Sequence, residues 1–300
     1  MLLKVLIVLF GGLLTAYELI TPIPKTNVYN KKMAELGKRL FYDPVISENN
    51  KISCSLCHIK NEYFTNHLKT PVGKNGYVFT RNTISLVNEK YKYYYEWDGR
   101  FKTLEKCVKA ALEDKHETDI SPKKLVKKLR KTKYKKLFDK VFADGLNEKN
   151  LISAFSEYIK SITTPNSPFD RFLRGDKNAI NKKAKKGYKL FISKGCIACH
   201  NGMLIGANVI AKFGFMKNAD TKDKGRFLIT KNPADLYYFK VPSLRNVAET
   251  YPYMHDGRIK TLKEAVKFML RYQLYKVYTE EEVDCIVEFL KTLTGEINEE

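Results

Sequence analysis

Two copies of one five-residue pattern constrain this chain more than anything else in it: Cys54-Ser55-Leu56-Cys57-His58 and Cys196-Ile197-Ala198-Cys199-His200. Two thiols three residues apart, followed at once by an imidazole, suit covalent attachment of a c-type haem. Each thiol forms a thioether with one vinyl group, and the tether holds the porphyrin where the adjacent histidine ligates the iron. Four of the six cysteines are used in this way, which leaves Cys107 and Cys285. A zinc site would need two further soft ligands for each pair, and those two cysteines form no ligand-like pair. A thioredoxin-type redox pair would not require histidine after the second cysteine in both copies. The pattern predicts two covalently bound haem c groups, one on His58 and one on His200.

The motifs lie 142 residues apart in a chain of 300, a length that suits two domains of ordinary size with one haem each. Lys31 to Phe41 carries Met33, Leu36, Leu40 and Phe41 at helical spacing and stops before Asp43-Pro44, so it predicts a helix leading into the first motif. Its Gly37-Lys-Arg-Leu40-Phe41 returns as Gly187-Tyr-Lys-Leu190-Phe191 before the second motif. Downstream, Trp97-Asp-Gly-Arg-Phe-Lys-Thr-Leu104 matches His255-Asp-Gly-Arg-Ile-Lys-Thr-Leu262 at an offset of 158, and the same offset pairs Ser85-Leu86-Val87-Asn88 with Ser243-Leu244-Arg245-Asn246. Two matches in one register argue for duplication of a single haem domain. An amphipathic helix over Leu151 to Ile162 ends before Thr164-Pro165-Asn166-Ser167-Pro168, which marks the boundary between domains at 21–165 and 166–300. A last helix from Glu280 to Leu293 places Val283, Ile286, Val287, Leu290 and Leu293 on one side and buries Cys285. No strong strand alternation is present, and 63–79 and 201–218 read as irregular segments packed on a cofactor. The fold class expected is all-α: two cytochrome c-like haem domains related by internal duplication, with long loops.

Residues 1–20 open with Met1-Leu2-Leu3-Lys4 and an apolar run from Val5 to Leu14. That is the form of a secretory signal, and it is too short for a confident transmembrane helix. Cleavage near Ala16 is expected, with an uncleaved membrane anchor as the alternative. Either way the folded part is exported, and a periplasmic location agrees with haem attachment outside the cytoplasm. The formal net charge of +21 raises the question of nucleic acid. Much of it lies between Lys123 and Lys140, where Leu125, Val126, Leu129, Leu137 and Phe138 mark the buried side of helices. A solvated basic face is the simpler reading. Four haem propionates offset part of the charge, and the remainder can steer an acidic electron-transfer partner or favour an anionic membrane surface. No nucleic acid is expected as a partner.

The repeat also distinguishes the two haems. At the common offset Met269 corresponds to Ala111. A thioether is a sixth iron ligand that raises the potential and closes the iron, whereas alanine coordinates nothing. Met269 could equally be core, following Val266 and Phe268, and Met254 is the alternative ligand. On the first reading the second haem carries electrons and the first binds a substrate.

At this point the chain resembles the bacterial dihaem cytochrome c peroxidases over nearly its whole exported length. The resemblance rests on Leu-Gly-Lys-Arg-Leu-Phe-Tyr-Asp-Pro (36–44), both haem motifs, Arg81-Asn82, Trp97-Asp98-Gly99-Arg100, and Phe169-Asp-Arg-Phe-Leu-Arg-Gly-Asp176. Asp223-Lys-Gly-Arg-Phe227, Pro242-Ser-Leu-Arg-Asn246 and the Leu-Thr-Gly near the C-terminus continue it. It implies a peroxidatic haem on Cys54, Cys57 and His58, and an electron-accepting haem on Cys196, Cys199, His200 and Met269. It places the catalytic glutamate on Glu117, the tryptophan between the haems on Trp97, and an interdomain calcium ion on the side chain of Asn82 and the carbonyls of Thr250 and Pro252. Read alone, Glu117 could equally be a solvated loop acid and Trp97 a packed aromatic.

Two positions depart from the family pattern. Lys74 stands where many members carry a displaceable distal histidine, with His67 seven residues earlier, and Cys107 stands where a glutamine is often found. Glycines at 73 and 76 suggest a mobile loop there. The function expected is reduction of hydrogen peroxide to water with electrons from a small redox protein, a c-type cytochrome or a cupredoxin, with a homodimer compatible with that reading. The alternatives are a protein-oxidising maturation enzyme of the methylamine-utilisation type, which has tyrosine where Met269 stands, and a dihaem electron carrier without catalysis.

Overall fold

The structure, a computed structural model, describes residues 19–298. The expected signal or anchor thus lies outside the described residues up to its last two positions. Those two belong to the fold: the Gly202 N–H donates to the Leu19 carbonyl at 2.6 Å, and Ile20 is buried among Phe169, Tyr188 and Phe289.

The first half is built from α1 (Lys31–Tyr42), α2 (Leu104–Glu113), α3 (Pro122–Leu129), α4 (Tyr134–Val141) and α5 (Glu148–Ser161). The second is built from α6 (Pro168–Leu173), α7 (Lys182–Ser193), α8 (Phe227–Thr230), α9 (Leu262–Phe268) and α10 (Glu280–Lys291). The long helices begin where a side chain satisfies the open backbone donors. Asn30 caps α1 through the Met33 N–H, Asn147 caps α5 and Asn181 caps α7. Thr279 and Glu282 form a reciprocal capping box on α10. Pro44 follows α1 and cannot continue it.

Each half is organised around one packed helix pair, α1 on α5 and α7 on α10. In each pair a glycine lies at the crossing: a Cβ on Gly37 would sit 1.9 Å from the Ala154 carbonyl oxygen, and one on Gly187 would sit 1.8 Å from that of Cys285. Only hydrogen fits there. Phe41, Phe155 and Tyr158 fill one core, and Phe169, Tyr188, Phe191 and Phe289 fill the other. Cys285 is buried, as its place on the α10 face predicts. In α3 the leucines are buried and Lys123, Lys124 and Lys127 are exposed, so the basic stretch is a solvated face.

Thr164 joins the halves. Its hydroxyl oxygen accepts from the side-chain amides of both Asn88 and Asn246, each at 2.9 Å. Those asparagines are the ones the sequence repeat pairs, and both take a left-handed backbone, φ 63° and 61°. The chain ends also cross over: Ile23 donates its N–H to Asp170 at 3.1 Å, while Thr163 pairs with Asn298. A departure from the helical expectation is a two-stranded antiparallel ribbon, β1 (Ile210–Lys212) with β2 (Tyr238–Lys240). Strands of three residues are too short to show an alternating pattern.

Candidate haem centres and the region between them

The second motif opens into an apolar cleft of about 1210 Å³, counting the part that is open to solvent. Cys196, Cys199, His200, Met254 and Met269 all line it, together with Phe191, Val266, Leu270 and Leu290. His200 Nδ1 bonds to the Ile205 carbonyl oxygen at 3.2 Å, which leaves Nε2 as the ligating nitrogen and fixes the ring. Burial pushes the imidazole down to about 4, so it is neutral and ready to ligate. A Cβ on Gly206 would lie 2.2 Å from the Pro242 carbonyl oxygen, so the loop behind the ring needs glycine. Met269 begins a π-helical stretch, Met269–Gln273, at the end of α9; such local widenings recur at functional sites. An apolar cleft, two cysteines, a neutral histidine and two thioethers fit a haem c. The structure brings both Met269 and Met254 to it.

At the first motif His58 Nδ1 bonds to the Phe64 carbonyl oxygen at 3.0 Å, again freeing Nε2. Cys54 packs against the first core. Burial raises both thiols, Cys54 to about 12 and Cys57 to about 11, and the next contribution to each is the charge of Glu117. The sequence-predicted acid is therefore beside the first motif. Burial, then Glu96, then Asp114 push its carboxyl up to about 8. Its segment folds back over the end of α2, where the Thr118 hydroxyl donates to the Leu112 carbonyl at 2.8 Å. Ala111 lies on that last turn of α2.

The loop that carries Lys74 is not the free element its glycines suggest. The Lys74 N–H donates to the His116 carbonyl at 2.6 Å, the Lys74 ammonium pairs with Asp119, and Tyr77 stacks on His116 at 3.6 Å between centroids. A Cβ on Gly73 would sit 2.2 Å from the His116 carbonyl oxygen, so that glycine serves close packing against the Glu117 segment. His67 is also engaged: Nε2 bonds to the Glu249 carbonyl oxygen at 2.8 Å, and the ring stacks on Tyr251.

Trp97 spans the two halves. Its Nε1–H donates to the Asn82 carbonyl at 2.8 Å, its ring lines the second cleft, and it meets the edge of His255, its counterpart in the repeat, at 6.4 Å. Arg81 ties the halves through Asp98 at 2.5 Å and Asp223 at 2.7 Å. Asn82 lies against 249–257, its N–H donating to the His255 carbonyl at 2.7 Å. Its side-chain amide nitrogen is held by the Leu68 and Lys69 carbonyls, so the amide oxygen is the atom left for a cation. Neutral oxygens of this kind suit calcium, and Thr250 and Pro252, the other expected donors, stand five and three residues before His255 in the chain.

Sequence reasoning missed Glu96, Lys240 and Asp119. Glu96 precedes Trp97 and accepts a bond from the Cys107 thiol at 3.2 Å. Lys240 is only 3% exposed, and its backbone N–H donates to the Trp97 carbonyl at 2.8 Å. The register of the repeat, which pairs Glu96 with Met254, was the one available signal for Glu96. Nothing near Lys240 or Asp119 in the chain announces their partners.

The architecture and both motifs have close parallels. Residues 31–178 match the family described as di-haem cytochrome c peroxidase, and residues 184–294 match cytochrome c. A cytochrome c551 peroxidase of Nitrosomonas europaea is 38% identical over 292 residues, covering 95% of this chain and 87% of the relative. A cytochrome c551 peroxidase of Pseudomonas aeruginosa is 35% identical, covering 93% and 85%. The crystal structure of a MauG-like protein associated with microbial copper homeostasis superposes with a TM-score of 0.80 at 25% identity, covering 96% of each chain. With two haem motifs on a helical fold shared along nearly its whole length, the chain belongs to the bacterial di-haem cytochrome c peroxidase family.

Proposed function

We propose that this protein reduces hydrogen peroxide to water, with peroxide bound beside Glu117 at the first haem and electrons received at the second from a small c-type cytochrome or cupredoxin. Cys54, Cys57 and His58 would hold the first haem, and Cys196, Cys199, His200 and Met269 the second. The haems supply the redox chemistry when bound. The protein orients peroxide, excludes water and moves a proton.

Glu117 takes a proton from the peroxide oxygen that is retained and delivers it to the one that departs. A carboxyl pushed up to about 8 suits both halves of that transfer, because it neither holds nor releases the proton too strongly near neutral pH. Trp97, bonded to first-half Asn82 and lining the second cleft, is placed to mediate electron passage between the haems. The observation that carries the reading is the asymmetry: the second cleft has Met269, whereas the corresponding position in the first is Ala111 with Glu117 nearby.

The remaining assignments belong to the same reading. The halves, divided at 165/166, are two copies of one haem unit, supported by the matched Gly37 and Gly187 crossings and by Asn88 and Asn246 converging on Thr164. Calcium binds at Asn82, Thr250 and Pro252. The protein is exported to the periplasm by residues 1–20, which also serve as its anchor if they are retained, and it can act as a homodimer.

Replacing Glu117 by Gln lowers peroxide turnover by about 10²- to 10⁴-fold, the range for losing a positioned acid–base group, with both haems retained. Turnover close to that of the parent would overturn the assignment.

A further inference from the structure

The turn that carries Trp97 places a second carboxyl at the first haem site. Glu96 takes a left-handed backbone, φ 64°, as its repeat counterpart Met254 does at 73°. The two turns close alike, Tyr95 N–H to Phe101 O at 3.0 Å and Tyr253 N–H to Ile259 O at 2.7 Å. Met254 lines the second cleft, so the same turn geometry directs Glu96 toward the first. There α2 gathers the acids: Cys107 donates to Glu96 at 3.2 Å, and one turn later Ala111 and Leu112 receive the Thr118 hydroxyl next to Glu117.

We propose that Glu96 is a positioning residue for Glu117: pinned by the Cys107 thiol on the Trp97 turn, it shares with Glu117 the corner that α2 builds and governs whether Glu117 carries its proton.

Several charged groups meet at the Glu96 turn. Glu89 and Lys92, from the preceding turn, are paired with each other. Arg100, on the same turn as Glu96, is committed to Asp98. A further cation is Lys240, brought in from the other half on β2. Burial and Lys92 pull its ammonium down to about 8, while Glu89 and Glu96 oppose that fall. A buried cation needs an anion, and Glu89 and Glu96 are the carboxylates that act on it. The charge of Glu96 opposes ionisation of Glu117, on which Asp114 is the smaller influence. Glu117 can take the proton of incoming peroxide only while ionised, so the charge on Glu96 sets the pH at which that first transfer becomes possible.

The inference rests on the reading of Glu117 as the proton carrier, but its test does not. In the oxidised protein with both haems attached, the infrared C=O band of protonated Glu117 is identified by its loss in Glu117→Gln and titrated with pH. In Glu96→Gln and in Glu96→Ala the band should disappear at lower pH than in the parent, and in Glu96→Asp, which keeps the charge, the midpoint should return toward it. Either charge-removing variant suffices should the other fail to fold. An unchanged midpoint would overturn the proposal. Normal peroxide turnover in Glu117→Gln would instead overturn the catalytic reading and leave this titration to be decided on its own.

Discussion

Met269 and Met254 both line the cleft around His200, and their backbone settings separate them. Met254 lies in the left-handed turn that both halves possess, where its counterpart is Glu96. Met269 lies where α9 widens into the π-helical stretch, and its counterpart, Ala111, has no atom to offer an iron. A ligand at Met269 therefore accounts for two unlike haems with one difference between the halves. Replacing Met269 by Ala should abolish a methionine-ligated low-spin signal and lower one reduction potential, because a soft thioether favours ferrous iron. Replacing Met254 by Ala should leave that signal in place. The reverse pattern in a potentiometric titration would transfer the ligand to Met254.

The helix pairs show what the sequence makes legible and what it does not. α1, α5 and α10 were readable from apolar spacing and, for α1, a terminating Pro44, all local signals. The repeated glycines of α1 and α7 were visible as a pattern, but their reason is the carbonyl of a partner helix 117 residues away for Gly37 and 98 for Gly187. Alanine at Gly37 or Gly187 would gain about 0.5–1 kcal/mol as a better helix former. It would also drive a methyl to within 2 Å of a backbone oxygen, and such overpacking costs about 1–3 kcal/mol or more. Gly37→Ala and Gly187→Ala should each be destabilised in denaturant unfolding, and unchanged midpoints would mean that the helices separate freely. The candidate site was legible through its motifs, since haem attachment is written in five consecutive residues. The polar frame was not: Asn88 reaches Thr164 across 76 residues, Arg81 reaches Asp223 across 142, and Lys74 reaches Asp119 across 45. No local pattern encodes those distances.

At the scale of the whole molecule, the open question is how peroxide gains access to the first haem. In family members with a distal histidine at the position of Lys74, the oxidised peroxidatic iron is blocked until reduction of the other haem releases the loop. Here that loop is held closed on the Glu117 segment by Lys74 itself, through the His116 carbonyl and the Asp119 carboxylate. An ammonium engaged with a carboxylate has no lone pair to give a metal. His67, the better ligand by chemistry, is turned to the Glu249 carbonyl and stacked on Tyr251. Neither residue is therefore available to close the site, and closure would require breaking the contacts of each. The fully oxidised protein should accordingly react with peroxide without prior reduction, and its optical spectrum should show one haem lacking a strong second protein ligand. Lys74→His should introduce the missing ligand, move the oxidised spectrum toward two low-spin haems, and make the peroxide reaction depend on adding one electron. A parent protein that is already low-spin at both haems and inert to peroxide until reduced would show that some other side chain blocks the iron, and this account of Lys74 would fail.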